Sequence, residues 1–83
     1  MRILVIEDYF KLIELIENRL QKENYFVDLS FNGGVGLYNR LTNIYDLIII
    51  NVMLPLKDGF SILKELRDKK IYSLVIMLIA RTQ

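Results

Sequence analysis

The chain has no cysteine and no histidine. The first absence excludes disulfides, thiolate metal sites and cysteine redox chemistry. The second excludes an imidazole base or ligand. Four glycines and one proline are the only strong punctuation, and no linker, repeat or low-complexity segment interrupts the chain. An excess of one charge sign is lacking too. The net charge is +1, with acids and bases interspersed, whereas a nucleic-acid footprint needs a clustered basic stripe. Lys69-Lys70 reads as a solvated helix end. No segment approaches the ~20 apolar residues of a membrane helix. The four apolar residues after Met1-Arg2 are too few for a signal peptide. These absences set the expectation of a cytoplasmic protein that neither enters a membrane nor binds nucleic acid directly.

What is present is apolar: 53% of 83 residues. That suffices for one small domain, residues 1–83, and is more apolar surface than a domain of this size easily buries. Ile3-Leu4-Val5-Ile6 and Leu47-Ile48-Ile49-Ile50 are short unbroken runs, which read as strands buried on both faces. Leu74 to Ile79 is a third such run, within a strand expected over Ser73–Ala80. Val27, Leu29 and Phe31 alternate with Asp28 and Ser30, as in a half-exposed strand near a sheet edge.

Between the strands the period changes to helical. From Tyr9 to Glu23, Leu12, Leu15, Ile16 and Leu20 share a face with Ile13 at its edge. Asp8 can serve as N-cap and Asn24 as a left-handed stop. Asn32-Gly33-Gly34 is a turn. Val35 to Thr42 reads as a short helix, with Leu37, Tyr38 and Leu41 inward. Asp58 to about Lys69 reads as another, with Phe60, Leu63 and Leu66 inward and Ile62 nearby. The order is βαβαβαβ. Such alternation gives a doubly wound parallel sheet with right-handed crossovers and helices on both faces.

In open α/β sheets chemistry sits at the carboxyl ends of the strands. Glu7-Asp8 end the first strand and Asn51 ends the third. If those strands are neighbours, two acids and an amide oxygen converge, a donor set suited to a hard cation such as Mg²⁺. A plainer reading of the same residues has Asp8 capping a helix and Glu7 solvated, since acids favour a helix's first turn. A glycine-rich phosphate cradle after the first strand is absent, and Glu7-Asp8 would repel a phosphate there. Two other metal chemistries need Asp-x-Asp. A haloacid-type phosphatase wants it after the first strand, where Glu7-Asp8-Tyr9 stands. A Toprim-like site wants it after a later strand, where Asn51-Val52-Met53 stands.

Taken together, Ile3-Leu4-Val5-Ile6-Glu7-Asp8, Tyr45-Asp46-Leu47-Ile48-Ile49 leading to Met53-Leu54-Pro55 and Asp58-Gly59, and Val75-Ile76-Met77-Leu78 with Ala80-Arg81 resemble the receiver domain of two-component response regulators. The likeness is greatest to receivers that precede a winged-helix DNA-binding domain, and it runs from residue 1 to about 81. It implies the flavodoxin-like receiver fold, incomplete after the fourth strand and lacking the last helix–strand–helix. It implies phosphoryl transfer from a kinase histidine to an aspartate ending the third strand. It places the Mg²⁺ ligands on Glu7, Asp8, Asn51 and the Met53 carbonyl, and the phosphoacceptor position on Asn51.

The chain departs from that pattern. An amide nitrogen is delocalised and the amide oxygen uncharged, so Asn51 cannot form an acyl phosphate. Removing one negative charge also weakens the cation site; one ion-pair term at ~4 Å is worth about 4 kcal/mol at an effective dielectric near 20, before desolvation. Ile79 stands where the family has a Thr or Ser that senses the phosphoryl group. The family's lysine after a fifth strand has no counterpart. These departures imply a degenerate receiver: a signalling or interaction module without catalytic residues, with weakened Mg²⁺ binding, whose partner is a histidine kinase or another receiver. Left as an edge, Leu74 to Ala80 is a template for pairing, so a homodimer through the fourth strand is expected. The alternatives are a phospho-accepting receiver present as a shortened or Asp-to-Asn form, a structural dimer without signalling, and a remnant of a decayed gene.

Overall fold

The computed structural model describes residues 1–30, 45–52 and 58–79. The expected turn at Asn32-Gly33-Gly34, the helix over Val35–Thr42, the Met53–Pro55 turn and Ala80-Arg81 lie outside them, as do Phe31 and Met53.

Among the described residues the elements are β1 (Arg2–Ile6), α1 (Phe10–Lys22), β2 (Phe26–Ser30), β3 (Leu47–Asn51), α2 (Gly59–Asp68) and β4 (Leu74–Leu78). The strands form one parallel sheet in the order β2-β1-β3-β4. The chain leaves β1 towards β2 and later returns to β1's other side as β3. The expected doubly wound parallel sheet is therefore the architecture found, with α1 on one face and α2 on the other.

The period of two explains the layers. Leu4, Ile6, Ile48 and Ile50 point to one face, where they meet Ile62, Leu66 and Ile71. Ile3, Val5 and Ile49 point to the other, where Ile16 and Leu20 of α1 cover them. Each fully buried Leu or Ile contributes about 1.5–3 kcal/mol, so the two central strands anchor the fold.

The helices turn differently about their axes than expected. On α1 Ile13 is the buried residue, while Leu15 is 60% exposed. Four apolar residues within five positions (Leu12, Ile13, Leu15, Ile16) cover so much of the circumference that periodicity does not single out a centre; docking on β1 does. On α2 the buried side is Gly59, Ile62 and Leu66, and Phe60 is 59% exposed. Leu66 is inward as expected, but Gly59 and Ile62 take the places expected of Phe60 and Leu63, because Gly59 lets that side approach the sheet.

Both helices end alike. Asn24 and Lys70 have φ of 65° and 62°. Tyr25 and Ile71 donate to Leu20 and Leu66 oxygens at 3.2 and 2.9 Å, and Asn24 and Lys70 to Gln21 and Arg67 oxygens at 2.9 and 3.0 Å. This pattern satisfies the last carbonyls. Asn24 is the stop read from the sequence; Lys70 carries no such sign.

β4 lies at the edge of the described sheet. Val75 and Met77 pack towards α2. Leu74 and Ile76, on the opposite face, are 68% and 45% exposed. The strand's apolar composition promised burial on both faces, yet on this face Leu78 packs against Ile3, Val5 and Ile49 while Leu74 and Ile76 stay open. β2 is the other edge, half-exposed as expected except that Ser30 is buried.

At the amino-terminal end of the sheet, Arg2 N–H donates to Asp46 Oδ2 at 2.8 Å, and Asp46 N–H to the Arg2 carbonyl at 2.9 Å. Tyr45 Oη donates to Asp28 Oδ2 at 2.6 Å, bridging β1. Burial, and then this bond, push the Tyr45 phenol from 10.0 to about 12.

Candidate functional site

At the carboxyl end of the sheet, Ile6 pairs with Ile50. Glu7 and Asn51 follow as the next residues on adjacent parallel strands, and both are buried, at 1% and 5% exposure. This is the point where the chain reverses its direction across the sheet, the position at which open α/β sheets bind ligands.

Glu7 is not solvated, contrary to the plainer sequence reading. Its N–H donates to the Ser30 carbonyl at 3.0 Å, which holds the backbone between β2 and β3. Its Oε1 accepts the Tyr9 N–H at 3.1 Å. The N-cap of α1 is Tyr9, with no side-chain cap bond. The expected Asp8 cap is thus absent: Glu7 satisfies the Tyr9 amide and Asp8 lies exposed at the mouth of the crevice.

The second carboxylate oxygen, Glu7 Oε2, is buried and has no hydrogen-bond partner among the described residues. An orphaned carboxylate oxygen is costly to bury, and a cation is the group that would satisfy it. Glu7, Asp8 and Asn51 supply oxygens of the kind a hydrated Mg²⁺ accepts, with waters completing the shell. The donor set therefore fits such an ion. Its charge is modest, because among the described residues no three acids or histidines gather into a metal-holding group.

The strand ends are tied to α2. Val52 N–H donates to the Leu78 carbonyl at 2.9 Å, and Gly59 N–H donates to the Val52 carbonyl at 2.8 Å. Asp58 caps α2 by accepting the Ser61 N–H at 2.8 Å and the Ser61 hydroxyl at 3.0 Å. Those bonds, the backbone one first, hold the Asp58 carboxyl below its ordinary value. Ile79 follows Leu78, the register partner of Asn51, and is exposed beside the crevice. Of the expected site residues, the structure brings Glu7, Asp8, Asn51 and Ile79 to one end of the sheet. Met53 lies outside the described residues.

Sequence reasoning missed Gly59 and Ser30. Gly59 was legible as a glycine at a helix start, a sign of close backbone approach. Ser30 carried no signal, since its alternation placed it outward.

Residues 3–83 match the response regulator receiver domain family. The transcriptional regulatory protein DltR of Streptococcus agalactiae is 41% identical over 83 residues, which are all of this chain and 37% of that protein. The chain thus spans little more than a third of the length of that relative. The response regulator TrrA of Thermotoga maritima, solved with Mg²⁺-BeF, is 34% identical with a TM-score of 0.85, covering 98% of this chain and 70% of that one. TrrA in complex with the histidine kinase ThkA matches at 34% identity and a TM-score of 0.83, over 99% and 71% of the two chains.

Proposed function

This chain belongs to the response regulator receiver family, and we propose that within a two-component system it acts as an interaction module that no longer accepts phosphate. Asn51 carries the reading. It is buried at the end of β3 beside Glu7, where the resemblance places the phosphoacceptor. A carboxamide there offers no anionic oxygen to attack a phosphorus atom. Ile79, at the end of β4, offers no hydroxyl to sense a phosphoryl group. The partner is a protein, a histidine kinase or another receiver, and binding is independent of phosphodonors. The kinase reading draws on TrrA, which was solved with its kinase.

A second reading, a receiver whose acceptor is Asp in its phospho-accepting form, is favoured by one observation. The acid half of the site is intact, with the unpartnered oxygen of Glu7 buried and ready for a cation. Incubation of the chain and of Asn51→Asp with acetyl phosphate and Mg²⁺, followed by intact mass, separates the two. The interaction reading expects no adduct on either; an adduct on Asn51→Asp supports the second reading, and one on the unsubstituted chain that maps to the Glu7–Asn51 pocket overturns the first.

Self-association through β4 belongs to the same proposal. The strand has an open edge among the described residues, and Leu74 to Ile79 contains no charge or proline to blunt it. Light scattering across a concentration series is expected to show a dimer. A monomer throughout removes that part and leaves the rest standing.

A further inference from the structure

Gly59 does not owe its place to backbone freedom, because it does not adopt positive φ. It owes it to space. A Cβ built on Gly59 would stand 2.6 Å from the Asn51 carbonyl oxygen, 2.9 Å from Val52 Cα and 2.9 Å from Met77 Cε. The methionine methyl ends a flexible side chain and can swing away. The other two atoms belong to Asn51, the last residue of β3, and to Val52, which follows it, and their backbone is pinned. Val52 is bonded to Leu78 on one side and to Gly59 itself on the other, while Asn51 is in register with Leu78.

We propose that Gly59 is the positioning residue of the site: the bare first turn of α2 seats on the Asn51–Val52 backbone and thereby sets where the Asn51 side chain stands relative to the Glu7 carboxylate. This rests on reading Glu7, Asp8 and Asn51 as one site. A methyl at position 59 has three ways out. It moves α2 off the sheet, which breaks the Gly59–Val52 bond; it rotates the Asn51 carbonyl; or it levers the end of β3 away from β1. The last two displace Asn51, and the first removes the contact that seats the Asn51–Val52 backbone. Substitutions elsewhere on α2 do none of these, even where they cost as much stability. Gly59 touches no reacting atom, so its effect passes through Asn51.

The test compares the 83-residue chain with Gly59→Ala and with Leu66→Val, a change two turns further along α2. All three are ¹⁵N-labelled and kept in the same concentration of trimethylamine N-oxide, which favours the folded state. The probe is Mn²⁺, whose paramagnetic broadening reports even weak binding. Gly59→Ala is expected to shift the Asn51 side-chain amide signals, to speed exchange of the Val52 amide, and to weaken broadening at Glu7 and Asp8 at least ten-fold. Leu66→Val is expected to lower thermal stability while leaving those readouts unchanged. Unmoved Asn51 signals in Gly59→Ala overturn the proposal. So does an equal change in Leu66→Val, or a Gly59→Ala chain that stays unfolded, since either makes the role merely structural. If the unsubstituted chain shows no broadening at Glu7 or Asp8, the cation reading fails by itself. The positioning role is then decided by the Asn51 shift and the Val52 exchange alone.

Discussion

Replacing Asn51 by Asp puts a second carboxylate beside Glu7, on the adjacent strand and nearly as deeply buried. Neighbouring strands lie about 4.8 Å apart. Two unit charges ~5 Å apart at an effective dielectric near 20 repel by about 3 kcal/mol. Without a divalent cation, Asn51→Asp is therefore expected to lose about that much stability. In a domain of this size each kcal/mol moves Tm by about 4–8 °C, so the fall exceeds about 10 °C. A cation reverses the sign, because both carboxylates then face a positive ion and Glu7 Oε2 gains its missing partner. At a Mg²⁺ concentration ~100 times its dissociation constant, binding returns about 2.7 kcal/mol. The assay is thermal unfolding of both chains in chelator and in a Mg²⁺ series. The expected pattern is a large loss in chelator that Mg²⁺ largely restores, with a much smaller Mg²⁺ response in the chain carrying Asn51. An Asn51→Asp chain that melts with its parent in chelator would show that Glu7 and residue 51 do not share a site. A loss that Mg²⁺ leaves untouched would show that they share one that is not a cation site.

Leu66→Ala removes a fully buried side chain between α2 and the sheet and should cost about 2–5 kcal/mol. Phe60→Ser, at a side chain the structure leaves exposed, should stay within about 0.5 kcal/mol; urea unfolding of both checks which residue faces the core. Lys70→Gly relieves a left-handed position that costs a non-glycine residue about 1–2 kcal/mol and should raise Tm, whereas an unchanged or lower Tm would mean that the lysine is not strained there. The folded state holds the Tyr45 proton more tightly than the unfolded chain, so this contribution is whole below pH 10.0 and is lost as pH rises through about 12. Urea midpoints measured across that window should fall in the parent more steeply than in Tyr45→Phe.

Much of this protein was determined by local sequence. The unbroken runs Ile3–Ile6 and Leu47–Ile50 were legible as strands because short branched apolar runs suit a buried extended chain, and their alternation with helical stretches pointed to parallel pairing. Glu7, Asp8 and Asn51 were found as a candidate site because strand ends are where a doubly wound sheet exposes chemistry. Asn24 announced its left-handed turn because asparagine tolerates one.

Tertiary structure alone decided the rest. Which stripe of α1 faced inward depended on docking, as five apolar residues in its first two turns gave periodicity no single answer; Ile13 went in and Leu15 out. Asp8 lost the cap because α1 begins one residue later than its sequence suggests, at Phe10, which leaves Tyr9 in the N-cap position with its amide bonded to Glu7. Leu74 and Ile76 stayed exposed because burial depends on what lies opposite a residue, and composition says nothing of that. Gly59 hinted at a close approach from the sequence, but what it approaches, the Asn51–Val52 backbone and Met77, was set only once β3, β4 and α2 converged on it. A close approach is a distance between parts of the chain, and no single stretch of sequence contains one.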